Sequence, residues 1–488
     1  MSRRKRKTGV NGTNKQRSAA PVARSGYDGA NISEKRGYIH WPTLDTRKEL
    51  DTYDRGQLIR KARWLYANTG VAQRVVDGLA NMVGHLTPQA ATSDEAWNDE
   101  VEALFSQRAG HAPTFDRAAK VDFYGWQNLL TRLRLKDGDC LSVLTESPGG
   151  FAQVIQYEAH QIDNGDEGSL RMRQQSRVRD GVISDKFGRP LRFRIVNMDD
   201  LSKWAEVPAR DCIFHVDYKR AGQVRGVTSL AHAINHLLDR TEVFSSVKHA
   251  IKTASQLGYL IENGKVQSGV NPLGQNLRTP VKTDNGTTIN LHDILESSQV
   301  PNLEAGQSVK VLHDARPHPN QQTFLEELIR DIAWGVGVSP EIIWRISGLT
   351  GPATRYVMAE LERWIEGQQA LLQRACQRYW VYFVAKEINA GRLRMPSDSQ
   401  WWKCEWLPQG SLTIDKGREG NLQLAQLQAG AITKRDLYAN KGQDWEAQTR
   451  QRIKEVELEK ALCAEHGLEW SEVFGGKLAS NNQPQQTP

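Results

Sequence analysis

Residues 212–234 read CIFHVDYKRAGQVRGVTSLAHAI, and the spacing of apolar side chains changes within them. CIFHVDYK is a short β-rich run. From Ser229 the chain turns helical, with Ile234, Leu237, Phe244, Val247, Ile251 and Ala254 at helical spacing. The stretch Leu230 to Gly258 predicts one helix of about 43 Å at 1.5 Å per residue. Arg240, Lys248 and Lys252 fall off the apolar stripe, the last two one turn apart, so one face is expected packed and the other charged. Lys248 and Lys252 can meet phosphates or form a salt-bridged solvent face, and charge pattern alone leaves both open.

Upstream, CLSVLTE, FAQVIQYE, GVISD and LRFRIVN are further β-rich runs, separated by Pro-Gly-Gly, Asn-Gly-Asp-Glu-Gly and Gly-Arg-Pro turn signals. Residues 57–85 predict two helices meeting around Asn68 to Gly70. Residues 93–136 also read as helical, with Trp126, Leu129, Leu130 and Leu133 on one face. A mixed α/β lobe is therefore expected over about residues 60–220.

Downstream, residues 264–319 hold Gly, Asn, Thr and short apolar patches such as SVKVL, which suggest a small β-containing insertion. A helix follows over about 321–337. Then comes GVGVSPEIIWRISGLTGPATRYVMAELERWIEG (335–367), a broken loop between two helices; the second helix continues through Val357, Leu361, Trp364, Leu371, Ala375 and Val384 to Ile388. The end of the chain holds WWKCEWLPQG, three helical stretches between about 415 and 467, and the low-complexity NNQPQQTP.

The chain has 488 residues, enough for two to four lobes, and a net charge of +7. That charge is local: eight of the 64 basic residues lie in residues 1–25 with no acid, leaving 56 basic against 57 acidic side chains elsewhere. A near-neutral body with a basic, Ser/Asn/Gly-rich tail is not a basic DNA-binding domain; the tail is expected disordered, able to touch nucleic acid or an acidic partner or simply to solubilise. No apolar run approaches the roughly eighteen residues of a membrane span, and no signal peptide is read at the N-terminus. The five scattered cysteines lack a C-x-x-C pair, which fits reduced thiols and gives no zinc site.

Catalytic patterns fail one by one. A P-loop needs Lys and Ser/Thr after its second glycine, but Gly351 is followed by Pro352 and Ala353, and GVNPLGQ (269–275) ends on Gln275. His232 and His236 have metal-sharing spacing, yet Ala233 stands where a zinc protease needs glutamate, which favours a structural role. DNGDEG (163–168) would need a bidentate glutamate where Gln174 stands, which favours a solvated turn. No G-x-S-x-G elbow or catalytic cysteine signature occurs. Trp401, Trp402 and Trp406 offer a base-stacking platform or core, and core is favoured by the area tryptophan buries.

In order, YDGA (27–30), LIRKARWLYANTGVAQRVVDGLANMVG (58–84), GVISDKFGRPLRFRI (181–195), Gly222-Gln223-Val224-Arg225-Gly226, the Trp402–Pro408 turn, Gly430-Ala431-Ile432-Thr433 and Gly442-Gln443-Asp444 resemble the lambda-type family of tailed-phage portal proteins, from about Tyr27 to Trp470. The resemblance implies an α+β portal fold: a mixed α/β wing (27–228), a two-helix stem (229–263 and 320–338), a small β-containing clip (264–319), a tunnel loop (339–354), a long wing helix with the Trp-rich turn (355–410) and an α-helical crown (411–470), between tails at 1–26 and 471–488. The family's Tyr-Ser-Ser-like run is replaced here by Gly348-Leu349-Thr350-Gly351-Pro352-Ala353.

It further implies a ring-forming, normally dodecameric structural protein at one capsid vertex, without cofactor or enzymatic activity. It would conduct double-stranded DNA without reading sequence. Its partners would be the large terminase subunit, the major capsid protein or scaffold and head-tail connector proteins, with no membrane, in the virion and, during assembly, the host cytoplasm. On this reading Lys248, Lys252, Leu349, Thr350, Gly351, Pro352 and Thr354 line the channel, Gly348 and Gly351 give the loop its flexibility, and Lys282, Asp284 and Asn285 face the terminase. The alternative is a phage DNA-processing enzyme, a nuclease or packaging ATPase.

Overall fold

The computed structural model describes residues 50–163, 178–256, 260–263, 281–282, 288–289, 307–310, 319–344, 349–409, 416–439, 443, 445–470 and 473. Asp51 caps helix α1 (Thr52–Asn68) by accepting from the Asp54 amide at 2.8 Å. After a break at Thr69 come α2 (Gly70–Gln73), a π-helical turn at Arg74–Gly78 and α3 (Leu79–Val83). The two helices expected around Asn68 to Gly70 are present, the second carrying this π turn.

Strand β1 (Leu86–Ala90) precedes α4 (Glu95–Ala109), α5 (Ala112–Phe115) and α6 (Phe123–Asp137). Asp94 and Asp122 cap α4 and α6 by accepting the Trp97 and Gly125 amides. Trp126, Leu130 and Leu133 of α6 are buried, as their spacing requires, and Leu129 is partly so. Gly138, at φ 101°, ends α6 in a conformation that costs glycine nothing.

Next come β2 (Asp139–Glu146), β3 (Ala152–Glu158), β4 (Val178–Arg179), β5 (Val182–Ser184), β6 (Pro190–Val196), β7 (Trp204–Pro208) and β8 (Cys212–Val216). They form two antiparallel sheets, ordered β3-β2-β8 and β4-β5-β6-β7. Leu141, Ile162, Val182 and Phe193 form the apolar cluster they share.

The helix after the quoted strand, α7, runs Ile234–Gln256. It is followed by β9 (Leu260–Asn263), β10 (Val281–Lys282), β11 (Thr288–Ile289) and β12 (Gln307–Lys310). β9 pairs antiparallel with β12, Leu260 opposite Lys310, and β10 with β11, so the chain leaves α7 and returns through one ribbon. Then come α8 (Pro319–Val336), α9 (Pro340–Ile343), the 39-residue α10 (Gly351–Asn389) and β13 (Cys404–Pro408). β13 pairs with β1, setting Trp406 against Pro88. Last are α11 (Lys416–Gln428), α12 (Lys434–Ala439) and α13 (Trp445–Glu465).

Two large cores flank α10. Its C-terminal half buries Tyr379, Trp380 and Phe383 among Trp97, Phe105, Phe123 and Trp126, many rings meeting edge to face. Its N-terminal half places Val357, Leu361 and Ile365 with Leu65, Val75 and Leu79, Ile234 and Leu237 of α7, and Ile332 of α8. The favoured core role holds for Trp406, which is buried, and Trp401 packs on the same core; Trp402 is exposed.

Candidate functional site

The stripe on α7 is covered only at its start. Ile234 and Leu237 are buried, whereas Phe244 and Ile251 are 40% and 45% exposed, so the expectation of one fully packed face is corrected for the distal half. Neither Phe244 nor Ile251 belongs to an apolar cluster among the described residues. Lys248 and Lys252 are exposed on this same distal half. On α8, Leu328, Ile329, Ile332 and Ala333 face the core while Phe324 and Trp334 stand out at 53% and 64% exposure.

The crossing of α7 and α8 is set by the two histidines. His232 Nε2 lies 3.2 Å from the Ile332 carbonyl, and a Cβ on Gly335 would fall 1.9 Å from that nitrogen, so Gly335 is the notch that admits the ring. His236 Nε2 sits 3.1 Å from Asp331 Oδ2. The pair joins helices, as the structural role requires. Among the described residues no group of three or more His, Cys, Asp or Glu is placed to hold a metal.

The described residues of the connection from α8 to α10 depart from a loop over 339–354. Gly337, at φ 91°, ends α8, Val338 is buried, and Ser339 stands at the N-cap position of α9. Thr350 is exposed and is the N-cap of α10, with Gly351 and Pro352 in its first turn; the Thr354 hydroxyl donates to the Thr350 carbonyl at 3.0 Å. Gly351, Pro352 and Thr354 are therefore helical, which corrects their reading as loop and moves the start of the long helix from 355 to Gly351. The physical reason is that proline's fixed φ and missing N–H suit the first helical positions. Leu349 packs on the second core. Gly348 lies outside the described residues, as do Asp284 and Asn285; Lys282 lies in β10.

At the other end of the connection the carbonyl of Ile342, whose side chain is buried, accepts from Arg74 Nη2 of the π turn at 3.3 Å. The Arg240 guanidinium of α7 lies 4.7 Å from the Phe244 ring and 6.0 Å from that of Trp344. Sequence reading missed both contacts, which span 268 and about a hundred residues.

The Gly222–Gly226 motif anchors rather than binds. Arg225 and Asp139, each 1% exposed, form a two-pronged ion pair with both bonds at 2.7 Å. The same guanidinium donates to the carbonyls of Ala159, Ile162 and Asp180, and the Gly226 amide donates to Asp139 at 2.7 Å. A Cβ on Gly226 would lie 2.0 Å from the Gly138 oxygen. Gln223 closes the motif by accepting from the Lys219 amide and donating to the Arg225 carbonyl. The end of α6, the start of β2, the β4–β5 turn and the approach to α7 are thus fastened at one point. Nearby, Arg63 of α1 binds Asp137 and Glu158.

Burial is the largest cause of the shifts at the buried histidine and cysteines. Burial, with Arg134 nearby, pulls His215 down to about 3, so it is neutral when folded. Burial pushes Cys212 up to about 12 and Cys140 and Cys376 upward, which leaves protonated, inert thiols.

Exposed aromatic and aliphatic side chains on α7 and α8 thus follow a buried clamp built by Arg225 and Asp139. The chain belongs to the lambda family of phage portal proteins, whose family model matches residues 38–369. It is 24% identical over 174 residues to Portal protein B of Escherichia phage lambda, covering 33% of this chain and 32% of that one. It is 23% identical over 205 residues to the portal protein of Escherichia phage N15, covering 39% and 38%. The chain thus spans about a third of the length of the curated relatives it matches.

Among solved structures, a chain from the virion of a native gene transfer agent particle aligns at 14% identity and TM-score 0.48, over 80% of this chain and 93% of that one. A phage portal protein of the HK97 family from Corynebacterium diphtheriae aligns at 12% identity and TM-score 0.28, over 64% and 88%.

Proposed function

We propose that this chain forms a dodecameric portal ring at a unique capsid vertex, conducting double-stranded DNA inward during packaging and outward during ejection. The observation that carries the reading is membership of the portal family across residues 38–369. The uncovered faces of α7 and α8 support it: Phe244 and Ile251 on one helix and Phe324 and Trp334 on the other are different surfaces, and contact between unlike surfaces builds closed rings when the rotation closes.

On this proposal α7 and α8 are the stem, and the ribbon-bounded insertion between them, with Lys282, Asp284 and Asn285, meets the large terminase subunit and later the head-tail connector proteins. Lys248, Lys252 and Thr350 face the DNA path, Leu349 anchors that stretch on the core, and Gly348 and Gly351 flank it in sequence; the capsid protein or scaffold surrounds the ring in the virion, after assembly in the host cytoplasm. The energy for packaging comes from the docked terminase. A body near neutrality suits a conduit, because each neutralised phosphate would tighten binding and hinder sliding.

The test is head assembly with and without the chain. Heads assembled with it should contain it at one vertex and fill with DNA when terminase and ATP are supplied, and heads assembled without it should stay empty. Equal filling in both would refute the proposal.

A further inference from the structure

We propose that Arg74 and Arg240 are positioning residues that hold the start of the α8–α10 connection and make it move with the π turn and with α7. The inference rests on the channel reading above, since that connection is the element assigned to the DNA path. Arg74 opens the Arg74–Gly78 π turn, and π turns inside helices recur at functional sites. Its side chain lies along Gly78: a Cβ there would fall 2.9 Å from Arg74 Cδ and 3.1 Å from Nη1, so glycine leaves the lane by which the guanidinium reaches out.

The atom it reaches is the Ile342 carbonyl at the end of α9, 3.3 Å from Nη2. The last carbonyls of a helix have no partner within it, and a cationic donor is well suited to them. Two residues on, the Trp344 amide donates to the Pro340 carbonyl at 2.9 Å, and its ring projects toward Arg240.

Arg240 completes the hold from the other side. Its Nε has no hydrogen-bond partner among the described residues, and the guanidinium lies within cation–π reach of Phe244, at 4.7 Å, and of Trp344, at 6.0 Å. Ile342 and Trp344 are thus tied to two elements far away in sequence, while Leu349 and Thr350 are tied to α10 and the core. A displacement of α7 within a ring is transmitted to the connection through Arg240 and Trp344, and one of the π turn through Arg74 and Ile342.

The experiment uses full-length rings and two readouts. Hydrogen–deuterium exchange followed by mass spectrometry reads the amides of residues 341–344. Arg74→Met should speed their exchange about tenfold, the loss of one charge-assisted hydrogen bond, with Arg74→Lys restoring most of the protection. Arg240→Met, at a half-buried side chain that leaves the fold intact, should speed it a few-fold. Heads carrying the Arg74→Met ring should retain less DNA, and those carrying Arg74→Lys should recover.

Unchanged exchange in both Met variants overturns the hold. Faster exchange with wild-type DNA retention overturns its coupling to DNA. Failure of the unmodified protein to form rings or fill heads overturns the underlying channel reading, a result separate from either.

Discussion

Arg225→Met should be among the most damaging single changes in the body of this protein. It leaves Asp139 fully buried without its ion-pair partner and removes a donor from each of three carbonyls, those of Ala159, Ile162 and Asp180, of which Ala159 keeps Arg55 Nη1 at 3.5 Å. Breaking one side of a buried pair costs about 3–5 kcal/mol, a large part of the roughly 5–15 kcal/mol that holds a domain folded. The Gly226 amide still donates to Asp139, so the lower half of that range is expected, about 3–4 kcal/mol. Asp139→Leu should cost a similar amount by stranding Arg225, although its carbonyl bonds soften the loss.

In the double variant no unpaired charge remains, and the losses should fall short of additivity by about 2 kcal/mol. The assay is urea unfolding followed by tryptophan fluorescence at one fixed protein concentration, because assembly would otherwise add its own stabilisation. A cost below about 1 kcal/mol for Arg225→Met, or strict additivity in the double variant, would refute the clamp as the organising contact.

Gly335→Ala should lower thermal stability by about 1–3 kcal/mol, because its methyl occupies the place of His232 Nε2, and adding His232→Ala should recover part of the loss in the same melting experiment. His215 is depressed from 6.5 to about 3, so the unfolded chain binds its proton first and stability falls with pH below 6.5; between pH 7 and 5 the wild type should lose about 2 kcal/mol more than His215→Gln, measured by unfolding at both pH values. Thr350→Trp should change stability by no more than about 0.5 kcal/mol, since this exposed N-cap side chain makes no capping bond, and should leave rings intact while reducing the length or retention of packaged DNA; full packaging would count against its place on the DNA path. Purified protein should neither cut DNA with added metal nor hydrolyse ATP, and cleavage abolished by changing one of its own carboxylates would overturn this.

Local patterns were legible in the sequence because they depend on neighbours along the chain. CLSVLTE, FAQVIQYE, LRFRIVN and CIFHVDYK coincide with β2, β3, β6 and β8, and the stripe from Ile234 locates α7. Strands β1, β4 and β7 escaped notice, and the stretch read as the Trp402–Pro408 turn contains strand β13. Pro88 interrupts β1, whose partner β13 lies some 320 residues away, and β7 is a largely exposed edge strand closed by Pro208.

Phe244 and Ile251 show a different limit: spacing marks a face that avoids water but does not say which molecule covers it. At Gly351-Pro352 the same two residues serve a turn or a first helical turn, and the packing of Leu349 together with proline's fit to the first helical positions decides for the helix. The exposure of Lys248, Lys252 and Thr350 was legible from spacing and position. Arg74, Arg240 and the Arg225–Asp139 pair could not be found that way, because each meets its partner only after folding brings distant segments together.

The measurement closest to the central claim is the mass of the assembled, full-length protein in solution. Twelve chains of 55.0 kDa make a particle of about 660 kDa, and mass photometry should find that species dominant, or a ring one or two chains larger or smaller, with Phe244→Glu/Ile251→Glu shifting it to single chains. A population of monomers and dimers for the unmodified protein at every salt and protein concentration would contradict the ring, and with it the function proposed.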